Sequence, residues 1–127
     1  GIMTARGAEK ALEAGASGIV VSNHGGRVLD HCPATAEVLP EIADAVGGRM
    51  TIFVDGAVRS GMDIFKALAL GADAVLIGRP FVTSIYGGGE EGVKLYVQKL
   101  KAELADTMRM CGAHSLAEID RSMIYRG

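Results

Sequence analysis

The sequence predicts an α/β fold built on parallel strands, and three observations carry that reading. Helix, strand and polar loop recur three times in the same order, the strand candidates are short apolar runs rich in Val and Ile, and each run ends in glycine with charged residues. Strands alternating with helices at this spacing imply parallel neighbours joined by right-handed crossovers, hence an α/β sheet or barrel. Continuous apolar runs suit strands covered on both faces.

Each element follows from its residues. Thr4 is placed to cap a helix from Ala5 to about Ala14, with Ala8, Ala11 and Leu12 on one face and Gly15 as its stop. A strand at Gly18 to Val21 comes next. Pro33 and Thr35 then open a second helix whose Val38, Leu39, Ile42, Ala45 and Val46 recur at helical spacing before Gly47 and Gly48. The second strand spans Met50 to Val54. Ser60-Gly-Met-Asp63 reads as a capping box for a third helix carrying Ile64, Phe65, Leu68 and Ala69 on its apolar side, and Gly71 ends it. The third strand is Ala74 to Ile77.

Beyond it the pattern changes. Gly87-Gly-Gly89 predicts a flexible break, and from Glu91 a longer helix aligns Val93, Val97, Leu100, Leu104 and Met108 in one stripe opposite Lys94, Lys101 and Glu103. That stripe is expected to be core, covering the sheet. Gly112 stops the helix, and Ser115-Leu-Ala-Glu118 caps a last short one. No domain boundary is evident, so residues 1–127 read as one partial domain. Gly1-Ile-Met-Thr-Ala5 looks like a strand-to-helix turn whose strand is missing, which predicts a fragment of a larger domain.

Composition narrows the function classes. The hydrophobic share of 49% is ample for a core, and a formal charge of −2 with interspersed signs builds no positive field for nucleic acid or an anionic membrane. No apolar run approaches the ~20 residues of a membrane span. Cys32 and Cys111 lack a metal-ligand spacing and read as free thiols of a reducing, cytoplasmic setting. The methionines read as core filler. His31 and His114 are expected to be solvent-facing or structural, because neither completes a metal site.

Chemistry concentrates where the strands end. Gly18-Ile-Val-Val-Ser-Asn-His-Gly-Gly-Arg27 passes from an apolar run directly into a base, a glycine pair and a guanidinium. His24 can take a proton near neutral pH, Arg27 can grip a carboxylate with two parallel hydrogen bonds, and Gly25 and Gly26 allow close approach of a ligand. Asp30 suits either orienting Arg27 or capping the following segment. At the next two strand ends stand Asp55-Gly-Ala-Val-Arg59 and Gly78-Arg79. Barrels often hold a phosphate on two such consecutive loops. Arg59 and Arg79 are suited to phosphate oxygens, Gly56 and Gly78 leave amides accessible, and Asp55 can accept from ligand hydroxyls.

Ser22-Asn-His-Gly-Gly-Arg-Val-Leu-Asp30, Asp55-Gly-Ala-Val-Arg-Ser-Gly61, Phe65-Lys-Ala-Leu-Ala-Leu-Gly-Ala72, Leu76-Ile-Gly-Arg-Pro80, Met108-Arg-Met-Cys-Gly112 and Ser115-Leu-Ala-Glu-Ile119 together resemble one family. It is the FMN-dependent 2-hydroxy-acid oxidases and dehydrogenases, which include glycolate oxidase, lactate oxidase and flavin L-lactate dehydrogenase. The resemblance covers nearly the whole chain and implies the carboxyl-terminal half of a (β/α)8 TIM barrel. It implies FMN as cofactor and a small L-2-hydroxy acid of the lactate or glycolate type as substrate. His24 would be the active-site base, by a hydride or a carbanion route, and Arg27 would hold the substrate carboxylate. Ser22 would touch the flavin or its ribityl chain, and Asp55 the ribityl hydroxyls. Gly56, Ala57, Arg59, Gly78 and Arg79 would hold the phosphate. Ala57 stands where many relatives have glycine.

The same resemblance places a flavin-pairing lysine immediately before Gly1, and an aspartate partner for the histidine and substrate-contacting tyrosines in the other half. Three strands of an eight-stranded barrel leave open edges and an uncovered apolar face, which predicts a homo-oligomer or assembly with the missing half-barrel. The rival reading is a half-barrel that binds FMN or another phosphate ligand without catalysis. A third, the type 2 isopentenyl diphosphate isomerases, shares the phosphate loops but not the His24 and Arg27 pair.

Overall fold

A computed structural model describes residues 1–125. The elements run α1 (Ala5–Glu13), β1 (Gly18–Val21), α2 (Thr35–Val46), β2 (Thr51–Val54), α3 (Gly61–Ala69), β3 (Ala74–Val75) and α4 (Arg79–Cys111). Short 3₁₀ turns follow at Leu116–Glu118 and Arg121–Met123. The three strands lie side by side, all parallel, in the order β1-β2-β3. Val20 faces Phe53, which faces Ala74, and one step on Val21, Val54 and Val75 align.

Alternation along the strands divides the sheet into two faces. Ile19, Val21, Ile52 and Val54 are buried against Ala8 of α1 and Leu39, Ile42 and Val46 of α2. Burial of one such side chain stabilises the fold by about 1.5–3 kcal/mol, so this layer anchors the sheet. The other face carries Val20, Phe53 and Ala74, which are only half-buried. Among the described residues no strand pairs with the outer edge of β3. On the outer side of β1, Ile2 forms a parallel bridge to Val21, with its amide donating to the Val20 carbonyl at 3.0 Å. The turn read in Gly1 to Ala5 therefore lies against β1.

The caps expected at Thr4, Ser60 with Asp63, and Gly112 are present, whereas Ser115 makes no capping hydrogen bond. Thr4 accepts from the Gly7 amide at 3.0 Å at the start of α1. Ser60 Oγ accepts from the Asp63 amide at 3.1 Å, and the Asp63 carboxylate accepts from the Ser60 amide at 3.0 Å. Gly112 ends α4 in the left-handed conformation.

Several boundaries differ from expectation. β2 begins at Thr51, one residue late. β3 is two residues long: Asp73 and Leu76 still bond to β2, but β2 ends at Val54 and leaves Ile77 no ladder to join. The cap of α2 is Ala34, whose amide donates to Glu37 at 2.7 Å, so Pro33 lies outside the helix. The Ser115 to Glu118 segment is a 3₁₀ turn.

The largest difference is in α4, which starts at Arg79 instead of about Glu91. Pro80 suits a first helical turn. Only Gly89 leaves helical geometry, with φ 55° and ψ −141°, and the chain reverses there. A straight helix would separate Phe81 and Tyr96 by about 22 Å, yet their rings meet edge to face with centroids 5.1 Å apart. Past the reversal, Leu104 and Met108 pack on Phe65 and Ala69 of α3 together with Ala113 and Ile119. Val97 of the expected stripe is 47% exposed, because α3 covers only the later turns. The contact is close at Gly61, where any Cβ would overlap the Leu104 amide and Glu103.

Candidate active site

The expected site residues come from three loops on one edge of the sheet, those following β1, β2 and β3. His24, Arg27, Asp55, Gly56, Ala57, Arg59, Gly78 and Arg79 line a single cleft of about 760 Å³, in the range of small-molecule sites. The first and third loops face each other: Arg79 Nη2 comes within 3.9 Å of where a Gly25 side chain would begin.

The loop after β1 is a left-handed turn, in which His24, Gly25 and Gly26 have φ of 54°, 64° and 73°. Asn23 shapes it: its side-chain oxygen accepts from the Gly25 amide at 2.9 Å, and its Nδ2 donates to the Pro33 carbonyl at 3.2 Å. Histidine is among the few non-glycine residues enriched in this conformation. His24 and Arg27 are exposed at the cleft. Among the described residues Asp30 forms no ion pair with Arg27; its carboxylate accepts from the His31 amide at 2.9 Å, and the His31 side chain is solvent-facing.

Ser22 occupies a different place from its neighbours. It is buried behind the cleft, donating to Asp55 Oδ2 at 2.8 Å and accepting from the His24 amide at 3.1 Å. Its hydroxyl therefore joins the first loop to the second. Asp55 is held again at its carbonyl, which accepts from buried Thr35 Oγ1 at 2.5 Å. Its other carboxylate oxygen, Oδ1, is buried with no hydrogen-bond partner among the described residues. A buried acceptor in that state favours an incoming hydroxyl donor.

The amides of the second and third loops divide between two tasks. Those of Arg59 and Ser60 donate to the Asp63 carboxylate, each at 3.0 Å, and that of Gly61 to Glu103 at 2.8 Å. Those of Gly56, Ala57, Gly78 and Arg79 have no partner among the described residues. With the Arg59 and Arg79 side chains they form a donor-rich concavity at the amino end of α4, chemistry matched to a phosphate monoester. Ala57 reaches it in the left-handed region, at φ 58°, where a glycine would be unstrained.

Three residues outside the expected set support these loops: Asn23, Thr35 and Tyr96. The Tyr96 hydroxyl donates to the Arg59 carbonyl at 3.0 Å, and the side chain lines the cleft. Burial, with the Glu103 and Asp63 charges, holds this phenol above its ordinary pKa against the opposing effect of Lys99, so it remains a donor. The Asn-X-Gly pattern of the first turn was open to detection from sequence; the contacts of Thr35 and Tyr96 were not.

Known proteins match this chain in both sequence and fold. Residues 1–126 match the family model described as FMN-dependent dehydrogenase. A peroxisomal (S)-2-hydroxyacid oxidase of Arabidopsis thaliana is 51% identical over 98% of this chain and 34% of its own length. Glycolate oxidase of Spinacia oleracea is 52% identical with the same coverage. Among solved structures, a mandelate oxidase variant carrying a monooxide FMN adduct superposes with a TM-score of 0.92 at 45% identity, over 95% of this chain and 38% of that one. A flavocytochrome b2 variant with pyruvate bound gives 0.91 at 41%, over 97% and 32%. The chain thus spans about a third of the length of the curated relatives it matches, and its sheet corresponds to part of a barrel.

Proposed function

The chain belongs to the FMN-dependent dehydrogenase family, and from that membership we propose that it forms the phosphate-binding and proton-accepting side of an oxidoreductase that converts a small L-2-hydroxy acid to the 2-oxo acid. One observation carries the reading: a base, a carboxylate fork, an unsatisfied buried acceptor and an anion cradle line one cleft. In this reading Arg59 and Arg79, with the amides of Gly56, Ala57, Gly78 and Arg79, hold the FMN phosphate. Asp55 Oδ1 accepts from a ribityl hydroxyl. Ser22 acts from behind, fixing Asp55 and the His24 amide. Arg27 binds the substrate carboxylate, and His24 accepts the substrate proton. Bound FMN supplies the two-electron acceptor.

The half-buried Val20, Phe53 and Ala74 face and the outer edge of β3, unpaired among the described residues, support association with a further half-barrel or a second copy. The free Cys32 and Cys111 support a reducing, cytoplasmic setting.

The test is anaerobic addition of L-lactate or glycolate to protein loaded with FMN. Bleaching of the flavin absorbance is expected. Flavin bound without bleaching would reduce the chain to a binding module, and failure to bind flavin would overturn the reading.

A further inference from the structure

Arg59 and Arg79 approach the cleft from different segments, and because two guanidinium groups repel each other, their spacing depends on how firmly the backbone holds each arm. The Arg59 backbone is fixed at both ends. Its amide donates to Asp63 at 3.0 Å and its carbonyl accepts from Tyr96 at 3.0 Å. The ring of Tyr96 meets Phe81 at 5.1 Å and 76°. Phe81 lies two residues past Arg79, and its own amide donates to the Gly78 carbonyl at 3.0 Å. One side chain thus touches both arginine-bearing arms, with its hydroxyl on one and its ring on the other.

We propose that Tyr96 is a positioning residue that braces these two arms and sets the spacing between Arg59 and Arg79 for a phosphate monoester. The inference rests on the FMN reading above and adds to it a residue that acts only through the phosphate end of the cofactor. The reversal at Gly89 makes the brace, because it returns Tyr96 alongside the segment that carries Arg79. Tyr96→Phe removes the hydroxyl and keeps the ring, while Tyr96→Val removes both contacts.

The experiment is fluorescence titration of the wild-type protein and the two variants with FMN and with riboflavin, which has the same ring and ribityl chain but no phosphate. For Tyr96→Phe, FMN affinity is expected to fall about three- to tenfold, the effect of one lost hydrogen bond, with riboflavin affinity within about twofold of wild type. Tyr96→Val is expected to lose more for FMN and again little for riboflavin. Equal losses for both flavins, or no loss for FMN, would overturn the brace while leaving FMN as the cofactor. A wild-type protein that binds neither flavin would instead overturn the cofactor reading and the inference with it.

Discussion

The Ser22 hydroxyl donates to Asp55 Oδ2 at 2.8 Å, tying the end of β1 to the end of β2. The same oxygen accepts the His24 amide at 3.1 Å, so Asp55 and His24, on two loops, both depend on one buried hydroxyl. Replacement Ser22→Ala would leave Asp55 with both carboxylate oxygens unsatisfied. It is expected to cost about 1–3 kcal/mol of stability, measured by urea denaturation, and to weaken FMN binding in a flavin titration.

Ala57 sits at φ 58°, where a side chain is strained by about 1–2 kcal/mol. Glycine relieves that strain but enlarges the freedom of the unfolded chain, returning part of the gain. Ala57→Gly is therefore expected to stabilise by up to about 1 kcal/mol, seen in calorimetry as a melting transition raised by a few degrees.

His24 also adopts a left-handed backbone, at φ 54°, and asparagine tolerates that region well. His24→Asn thus keeps the turn while removing the base. Turnover is expected to fall about 10²–10⁴-fold with FMN affinity unchanged, in steady-state assays paired with flavin titration. A parallel loss of flavin binding would assign His24 a structural part instead.

What could be read from the sequence was local. The Thr4 cap, the Ser60 and Asp63 capping box and the Val/Ile runs each declare themselves within a few residues, and each is present. The convergence of His24, Arg59 and Arg79 followed from parallel topology, since all three follow the carboxyl ends of neighbouring strands. The first segment of α4 was hidden, because Pro80 and the glycines at 87–89 signal a loop and only Gly89 behaves as one. Thr35 and Tyr96 reach Asp55 and Arg59 across 20 and 37 positions, a separation that no local pattern encodes. Val97 matched the stripe of Leu100 and Leu104 yet faces outward, since periodicity gives a face but not the extent of the partner that covers it.

Gly61 has no room for a side chain against Leu104 and Glu103, and the obstructing atoms include the peptide bond between them, which cannot rotate away. Gly61→Ala is expected to destabilise by about 3 kcal/mol or more, separating α3 from α4. A lowered midpoint in chemical denaturation, with loss of protection of the α3 amides in hydrogen exchange, would show it.

The Asp63 carboxyl carries a pH dependence of definite sign. Burial raises its pKa, but hydrogen bonds from the Ser60 hydroxyl and the Arg59 and Ser60 amides, with the Lys66 charge, hold it below the ordinary value of 3.8. A depressed folded-state pKa contributes stability that is present above the unfolded value and lost as pH falls through the folded one. The stability gap between wild type and Asp63→Asn is thus expected to be constant above about pH 5 and to narrow below about pH 4, in denaturation curves recorded across that range.

Gly89 confines the reversal of α4 to a single residue, and such economy leaves the hairpin no tolerance for a change in length. Inserting or deleting one residue between it and Gly92 would turn the returning helix by about 100° about its own axis. Leu104 and Met108 would swing off α3 and Tyr96 away from the Arg59 carbonyl in the same motion. The residue count of this helix is thereby locked to the anion cradle it serves.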